Sequence, residues 1–182
     1  MLNPQQRAAL LKVAREAMEA AATNQPYRPA SDDPALRQPG AAFVTLNKHG
    51  QLRGCIGMIE AREPLTECVA NMARAAARED YRFPPVRPAE VAELSVDISV
   101  LSPCERVEDV SKIEVGKHGL IIQDAQSRGL LLPQVATEWG WSREEFLDHC
   151  CLKAGLPEGH WRKGGEIYCF TAEVFGEEEP GG

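Results

Sequence analysis

Two stretches of the chain place apolar residues at helical spacing. From 3 to 23, Leu10, Leu11, Ala14, Met18 and Ala21 form one stripe. Asn3 can cap that helix, Pro4 suits its first position, and Gln6 completes a box-like start. From 63 to 80, Leu65, Cys68, Val69, Met72 and Ala76 form the second stripe. Between these helices the period drops to two. "AFVTLN" and "QLRGCIG" flank "KHG", which reads as strand, glycine-containing turn and strand, hence a hairpin. "LSVDISVL" alternates, with Leu94, Val96, Ile98 and Val100 on one face and Ser95, Asp97 and Ser99 on the other. That pattern predicts a strand with one covered face.

The remaining segments complete the outline. "NQPYRPASDDPALRQPG", 24 to 40, carries four prolines and reads as a surface loop. "VEDVSKIEVGKHG" is polar and irregular, near a subdomain edge. "LIIQD" and "LLL" read as strands around "AQSRG". Ser142 and Glu145 form a capping box for a helix that runs to about Ala154 and stops at Gly155 and Pro157. "EIYCFTAEVF" is a last strand, and "GEEEPGG" reads as a frayed acidic tail, leaving 1–176 as one domain and 177–182 as its disordered end. Hairpins and helices without regular strand-helix-strand units argue for an α+β fold, with a mostly antiparallel sheet and helices packed on one side.

Composition narrows the function. A chain of 182 residues, 43% hydrophobic and 26% charged, suits one globular domain. Its net charge is −7. Residues 91–182 hold 8 Lys/Arg against 17 Asp/Glu, a local net of −9, whereas residues 1–62 hold 8 against 5, a local net of +3. No dense basic patch is visible, which argues against nucleic acid as a partner. No apolar run approaches the ~20 residues of a spanning helix, and the first residues lack the pattern of a signal peptide. A cytoplasmic location is expected, with no membrane partner and with the six cysteines reduced. None forms a CxxC pair and no Cys/His cluster has zinc spacing, so no metal site is expected.

The stretch "LRGCIG" carries the chemistry most worth weighing. Side chains alternate along a strand, so Leu52 and Ile56 share one face and Arg53 and Cys55 share the other, about 6.6 Å apart. A cation at that distance stabilises a thiolate by roughly 0.6 to 2.5 kcal/mol for effective dielectrics of about 80 down to 20. Arginine alone therefore does not decide whether Cys55 is a nucleophile or a small core residue. A catalytic cysteine also needs a base, and His49, His118, His149 and His160 are each more often surface residues than catalysts. Gly54 and Gly57 mark a bulge or a close approach by another backbone or a ligand, and such a stretch lets a ligand's carboxylate or phosphate reach backbone N–H groups. The chain has neither GxxxxGK[ST] nor GxGxxG, so neither standard nucleotide site is supported.

"FVTLNKHGQLRGCIG" strongly resembles the signature of the AMMECR1 family. The likeness continues in "ARAAAREDYRFPPV", "ELSVDISVL", "GKHGLII", "GLLLPQVATEWGW" and "FLDHCCLKAGL", over roughly residues 5 to 175. The resemblance implies an α+β fold with a larger and a smaller subdomain and a cleft between them. It also implies association with a Memo-like protein and a radical-SAM protein, in the grouping called AmmeMemoRadiSam. It brings no reaction and no cofactor with it. The positions that match are Leu52, Arg53, Gly54, Cys55, Ile56 and Gly57, then Asp80, Arg82 and Phe83, then Leu132, Pro133, Gln134 and Val135, then Lys153, Ala154 and Gly155. The resulting expectation is a small ligand handled beside the motif, with Cys55 as candidate catalytic residue and Arg53, Gly54, Gly57 and Gln134 as candidate ligand-binding residues. The alternative is a non-catalytic adaptor of the same system. Asp80 with Arg82 reads as an ion pair fixing a turn, of little energetic weight unless buried. Gln134 reads as a capping residue more readily than as a ligand contact.

Overall fold

The computed structural model describes residues 1–178 and 180. The fold is α+β and divides into two compact units, Met1–Leu101 with the C-terminal segment from Glu173, and Ser102–Ala172.

The first unit opens with α1 (Pro4–Ala22), whose N-terminus is closed by a capping box in which Asn3 and Gln6 bond each other's backbone. The proline-rich segment follows and ends at β1 (Pro39–Lys48). β1 turns into β2 (Gln51–Gly57) through His49 and Gly50, both with positive φ (51° and 76°), as the tight right-twisted hairpin turn requires. A two-residue β3 (Glu63–Pro64) leads into α2 (Leu65–Arg78). The sequence placed this helix at 63–80, but Glu63 and Pro64 instead pair with Gly40 and Pro39 of β1. After a 3-10 turn at Pro88–Glu93 comes β4 (Leu94–Leu101).

β1 lies antiparallel between β2 and β4. Ala42, Val44 and Leu46 of β1 and Leu94, Val96 and Ile98 of β4 share one core with α1 and α2. The apolar stripes read from the sequence supply that core: Leu10, Ala14, Met18, Ala21, Leu65, Cys68, Val69 and Ala76 are all buried in it. The polar face of β4 is not open to water, since Ser95 and Ser99 are buried as well.

The second unit begins with β5 (Glu105–Arg106), then the hairpin of β6 (His118–Asp124) and β7 (Ser127–Leu131). Two helices follow, α3 (Pro133–Trp139) and α4 (Arg143–Lys153), then β8 (Glu166–Gly176). β6 pairs antiparallel with β7 and with β8, and β5 pairs with β8. Leu120, Ile122, Ala136, Phe146, Leu147, Cys150 and Ile167 form its core. Cys150 is fully buried and burial pushes its thiol up to about 12, so the Cys150–Cys151 pair acts here as core packing.

The last residues of β8 belong to the first unit. Glu173 accepts from the Leu2 N–H and from Arg7 Nε at 2.9 Å. Glu177 exchanges backbone and side-chain bonds with Val96 and accepts from Arg15 Nε at 3.0 Å. The acidic stretch 177–182 therefore begins with a held residue. The frayed end expected there falls on residues 179, 181 and 182, which lie outside the described residues.

Gly54 is where β2 and α2 come closest. A Cβ there would sit 2.4 Å from the Ala76 carbonyl oxygen, a backbone atom that cannot move alone. Gly54→Ala should therefore destabilise the protein by about 1–3 kcal/mol, the usual cost of overpacking. Urea unfolding followed by circular dichroism measures it, and a change under about 0.5 kcal/mol would mean the helix is free to retreat.

Candidate functional site

The motif strand contains a β-bulge. Thr45 pairs with Cys55 and Leu46 with Gly54, but Asn47 pairs with Leu52, which leaves Arg53 as the extra residue. Thr45 and Asn47 share one face of β1, so their partners Cys55 and Leu52 share that face too. The expectation that Arg53 and Cys55 project together took the alternation as continuous along β2, and the inserted residue interrupts it. Leu52, expected in the core with Ile56, is instead 44% exposed, while Ile56 packs against the core.

Arg53 is committed elsewhere. Its Nε donates to Glu90 Oε1 at 2.8 Å and Nη2 donates to Oε2 at 3.2 Å, with the two side chains only 12% and 8% exposed. Glu90 also accepts from the Arg87 N–H at 3.0 Å and lies 3.6 Å from Lys48 Nζ. The Arg53 bonds, aided by Arg87 and Lys48, hold the Glu90 carboxyl down at about 2 against the opposing effect of burial. One donor is left over: Arg53 Nη1 is buried with no hydrogen-bond partner among the described residues.

Cys55 has a different set of neighbours. Thr45 Oγ1 donates to its Sγ at 3.2 Å. Its N–H, on the outer edge of β2, donates to Asp80 Oδ2 at 2.9 Å. Arg82 binds Asp80 through Nε at 2.9 Å and Nη2 at 2.7 Å, and the same Nη2 reaches the Cys55 carbonyl at 3.5 Å. Arg82, with help from the Cys55 and Arg82 N–H groups, holds the Asp80 carboxyl well below the usual range. Burial raises the Cys55 thiol, and Asp80 raises it further. The Thr45 bond and the Arg82 charge oppose that rise without reversing it. The cation acting on the sulfur is Arg82, not Arg53.

Packing accounts for both motif glycines. Gly54 meets the α2 backbone, and a Cβ on Gly57 would fall 2.1 Å from the Phe43 ring. The space above them is filled by protein atoms rather than left for a ligand. Gln134 lies in α3, in the second unit, with an exposed side chain; its carbonyl accepts from Thr137 Oγ1, and Leu132 rather than Gln134 is the N-cap. The nominated residues are thus split between the units, with Arg53, Gly54, Cys55 and Gly57 in the first.

No histidine is among the groups acting on Cys55. His49 bonds Glu93, His118 accepts from the Glu114 N–H, His149 stacks on Trp141 at 3.8 Å, and His160 bonds Asp124. No group of three or more His, Cys, Asp or Glu among the described residues could hold a metal ion. No described helix is long and apolar enough to cross a membrane.

Sequence reasoning missed Glu90 and gave Asp80 too little weight. Asp80 is buried and supplies the acceptor that the outer edge of β2 lacks. The readable signal was topological: an edge strand has N–H groups without partners, and a carboxylate just past α2 is placed to meet one. Between Asp80 and Arg82 in the chain stands Tyr81, 95% exposed.

Removing one partner of a buried ion pair leaves a stranded charge, so Glu90→Gln should cost about 3 kcal/mol or more at neutral pH. A carboxyl with a depressed folded pKa contributes stability above its unfolded value of about 4.3 and loses it as the pH falls through the folded value. For Glu90 that value is about 2. The gap between the natural protein and Glu90→Gln should therefore narrow between those two pH values, and a gap independent of pH would contradict the pairing. For Cys55, peptide-resolved iodoacetamide labelling should show an inflection above about 8.5. An inflection below about 7.5 would mean an activated thiolate instead.

The AMMECR1 family profile matches residues 11–175. The chain is 48% identical over 157 residues to protein MK0488 of Methanopyrus kandleri, covering 81% of this chain and 76% of that protein. It is 46% identical over 186 residues to a protein of Thermococcus gammatolerans, covering 95% and 91%. The crystal structure of the uncharacterized protein PH0010 from Pyrococcus horikoshii superposes with a TM-score of 0.87 at 43% identity, covering 95% of this chain and 92% of that one. An AMMECR1 match that spans the bulged hairpin, α2, the second unit and the greater part of α1 places this chain in the AMMECR1 family.

Proposed function

We propose that this protein is a non-catalytic binding module, an adaptor that docks a partner protein through the surface around the motif hairpin. The observation that carries this reading is Tyr81, which is 95% exposed and held between two residues anchored to the edge of β2. A large aromatic displayed on a rigid base loses little entropy on binding and is the residue type most enriched at the energetic centre of interfaces. Leu52, also exposed, lies on the face of β2 that carries Cys55. The motif then serves as the base. Its glycines admit α2 and Phe43, and Arg53 is neutralised by Glu90. The family resemblance supplies the partner: the Memo-like protein or the radical-SAM protein of the same system.

A second reading, handling of a small ligand beside the motif, is favoured by one observation. Arg53 Nη1 is a buried donor without a partner, and such a group calls for a water or a ligand acceptor. Because the guanidinium is already paired with Glu90, that ligand would be bound by hydrogen bonding more than by charge.

Co-purification with the Memo-like and radical-SAM proteins tests the first reading. A complex should form, survive Cys55→Ser, and weaken at least about tenfold on Tyr81→Ala. A complex lost with Cys55→Ser and indifferent to Tyr81→Ala would overturn it, as would the absence of any complex.

A further inference from the structure

A cavity of about 730 Å³ lies between α1, α2 and the proline-rich segment that follows α1. It shares no lining residue with the motif and lies wholly within the first unit. Its volume falls within the range of about 300 to 1,000 Å³ typical of small-molecule sites. The space exists because both helices present alanine where they face it: Ala17, Ala20 and Ala21 from α1, Ala70 from α2. The opposite wall is stiff. Pro26 and Pro29 restrict the backbone, and the Gln25 N–H bonds the Ala20 carbonyl at 2.8 Å. Arg78 Nη1 donates to the Ala21 carbonyl at 2.9 Å, which ties α2 to the end of α1. Tyr27 contributes a ring whose hydroxyl donates to Glu16 at 2.9 Å. Burial, then the Glu16 bond, pushes that phenol up to about 12, so the ring is neutral and fixed.

The charges lining this space are uneven. Arg28 and Arg74 line it with one carboxylate, Glu67, for a net of +1 on a chain whose total is −7. Neither arginine has a hydrogen-bond or ion-pair partner among the described residues. The contrast with the rest of the unit is sharp, because Arg7, Arg15, Arg53, Arg78 and Arg82 all have partners. Arg74 also lines an adjoining hollow of about 400 Å³. A free guanidinium at the edge of a pocket walled by alanine, proline and a fixed phenol suits a ligand with an oxyanion at one end and a flat apolar body at the other.

We propose that this cavity binds a small aromatic oxyanion, an aryl carboxylate or aryl phosphate monoester, with Arg74 and Arg28 on the anion and the Tyr27–proline wall against the ring. The site is independent of the docking surface, so either proposal can fail alone.

Phenyl phosphate, benzoate and benzyl alcohol serve as probes in ¹H–¹⁵N spectra of the full chain. At least one anion should shift the Tyr27, Arg28, Asn71 and Arg74 amides saturably, and the stronger of the two identifies the oxyanion. Benzyl alcohol should bind at least about tenfold more weakly. Arg74→Gln should weaken the anion at least about tenfold, and Ala20→Phe, which fills the space, should abolish the shifts while the spectrum stays dispersed. If Arg74→Gln loses dispersion, Arg28→Gln carries the same comparison. The proposal is overturned by no saturable shift up to about 10 mM, by shifts confined to other residues, by equal binding of the alcohol, or by indifference to the arginine substitutions.

Discussion

The edge of β2 is the constraint on which the first unit depends. A strand at the side of a sheet offers unpaired N–H and C=O groups that either attract another chain or must be covered. Here the Asp80 carboxylate takes the Cys55 N–H, and Arg82, bound to Asp80, reaches the Cys55 carbonyl. Two side chains thus do at one residue what a neighbouring strand would do. Asp80 can arrive there only because α2 runs close over β2, and α2 can run that close only because residue 54 has no side chain.

The bulge at Arg53 lies next to that contact. An extra residue between Leu52 and Gly54 lets β2 bend and sends the guanidinium to Glu90, on the turn that leads into β4. Two buried carboxylates thereby anchor the motif strand, Asp80 through the Cys55 N–H and Glu90 through the Arg53 side chain. Charged groups held this way stabilise less than their Coulomb attraction suggests, because desolvation opposes it, but losing one partner is costly. They specify where the strand lies more than they add to its stability.

That arrangement changes what the hexapeptide means chemically. A thiolate nucleophile needs a nearby base or uncompensated positive charge. Cys55 has a threonine hydroxyl, a cation already spent on Asp80, and burial that favours the neutral thiol. In the proposed adaptor the motif is a brace beneath the docking surface. The most exposed large side chain beside it is Tyr81.

Periodicity located the helices α1 and α2, the hairpin and the alternating strand β4, together with the inner faces of the two helices and of β4, because burial of apolar surface is written locally in which positions are apolar; in β2 it placed Leu52 inside, and the strand leaves it exposed. Capping was equally legible at Asn3 and Ser142, where the signal lies within a few residues. The family signature was legible for the same reason, as a run of neighbouring residues. What the chain order did not reveal was the inserted residue at Arg53, the role of Asp80, the pairing with Glu90 and the state of the Cys55 thiol. The Asp80 and Glu90 contacts bring groups 25 and 37 positions apart within hydrogen-bond reach. A one-residue slip in register reverses which face a side chain takes, and no local pattern records it. Tertiary contact alone decides such distances, and with them the charge and accessibility of every group at the site.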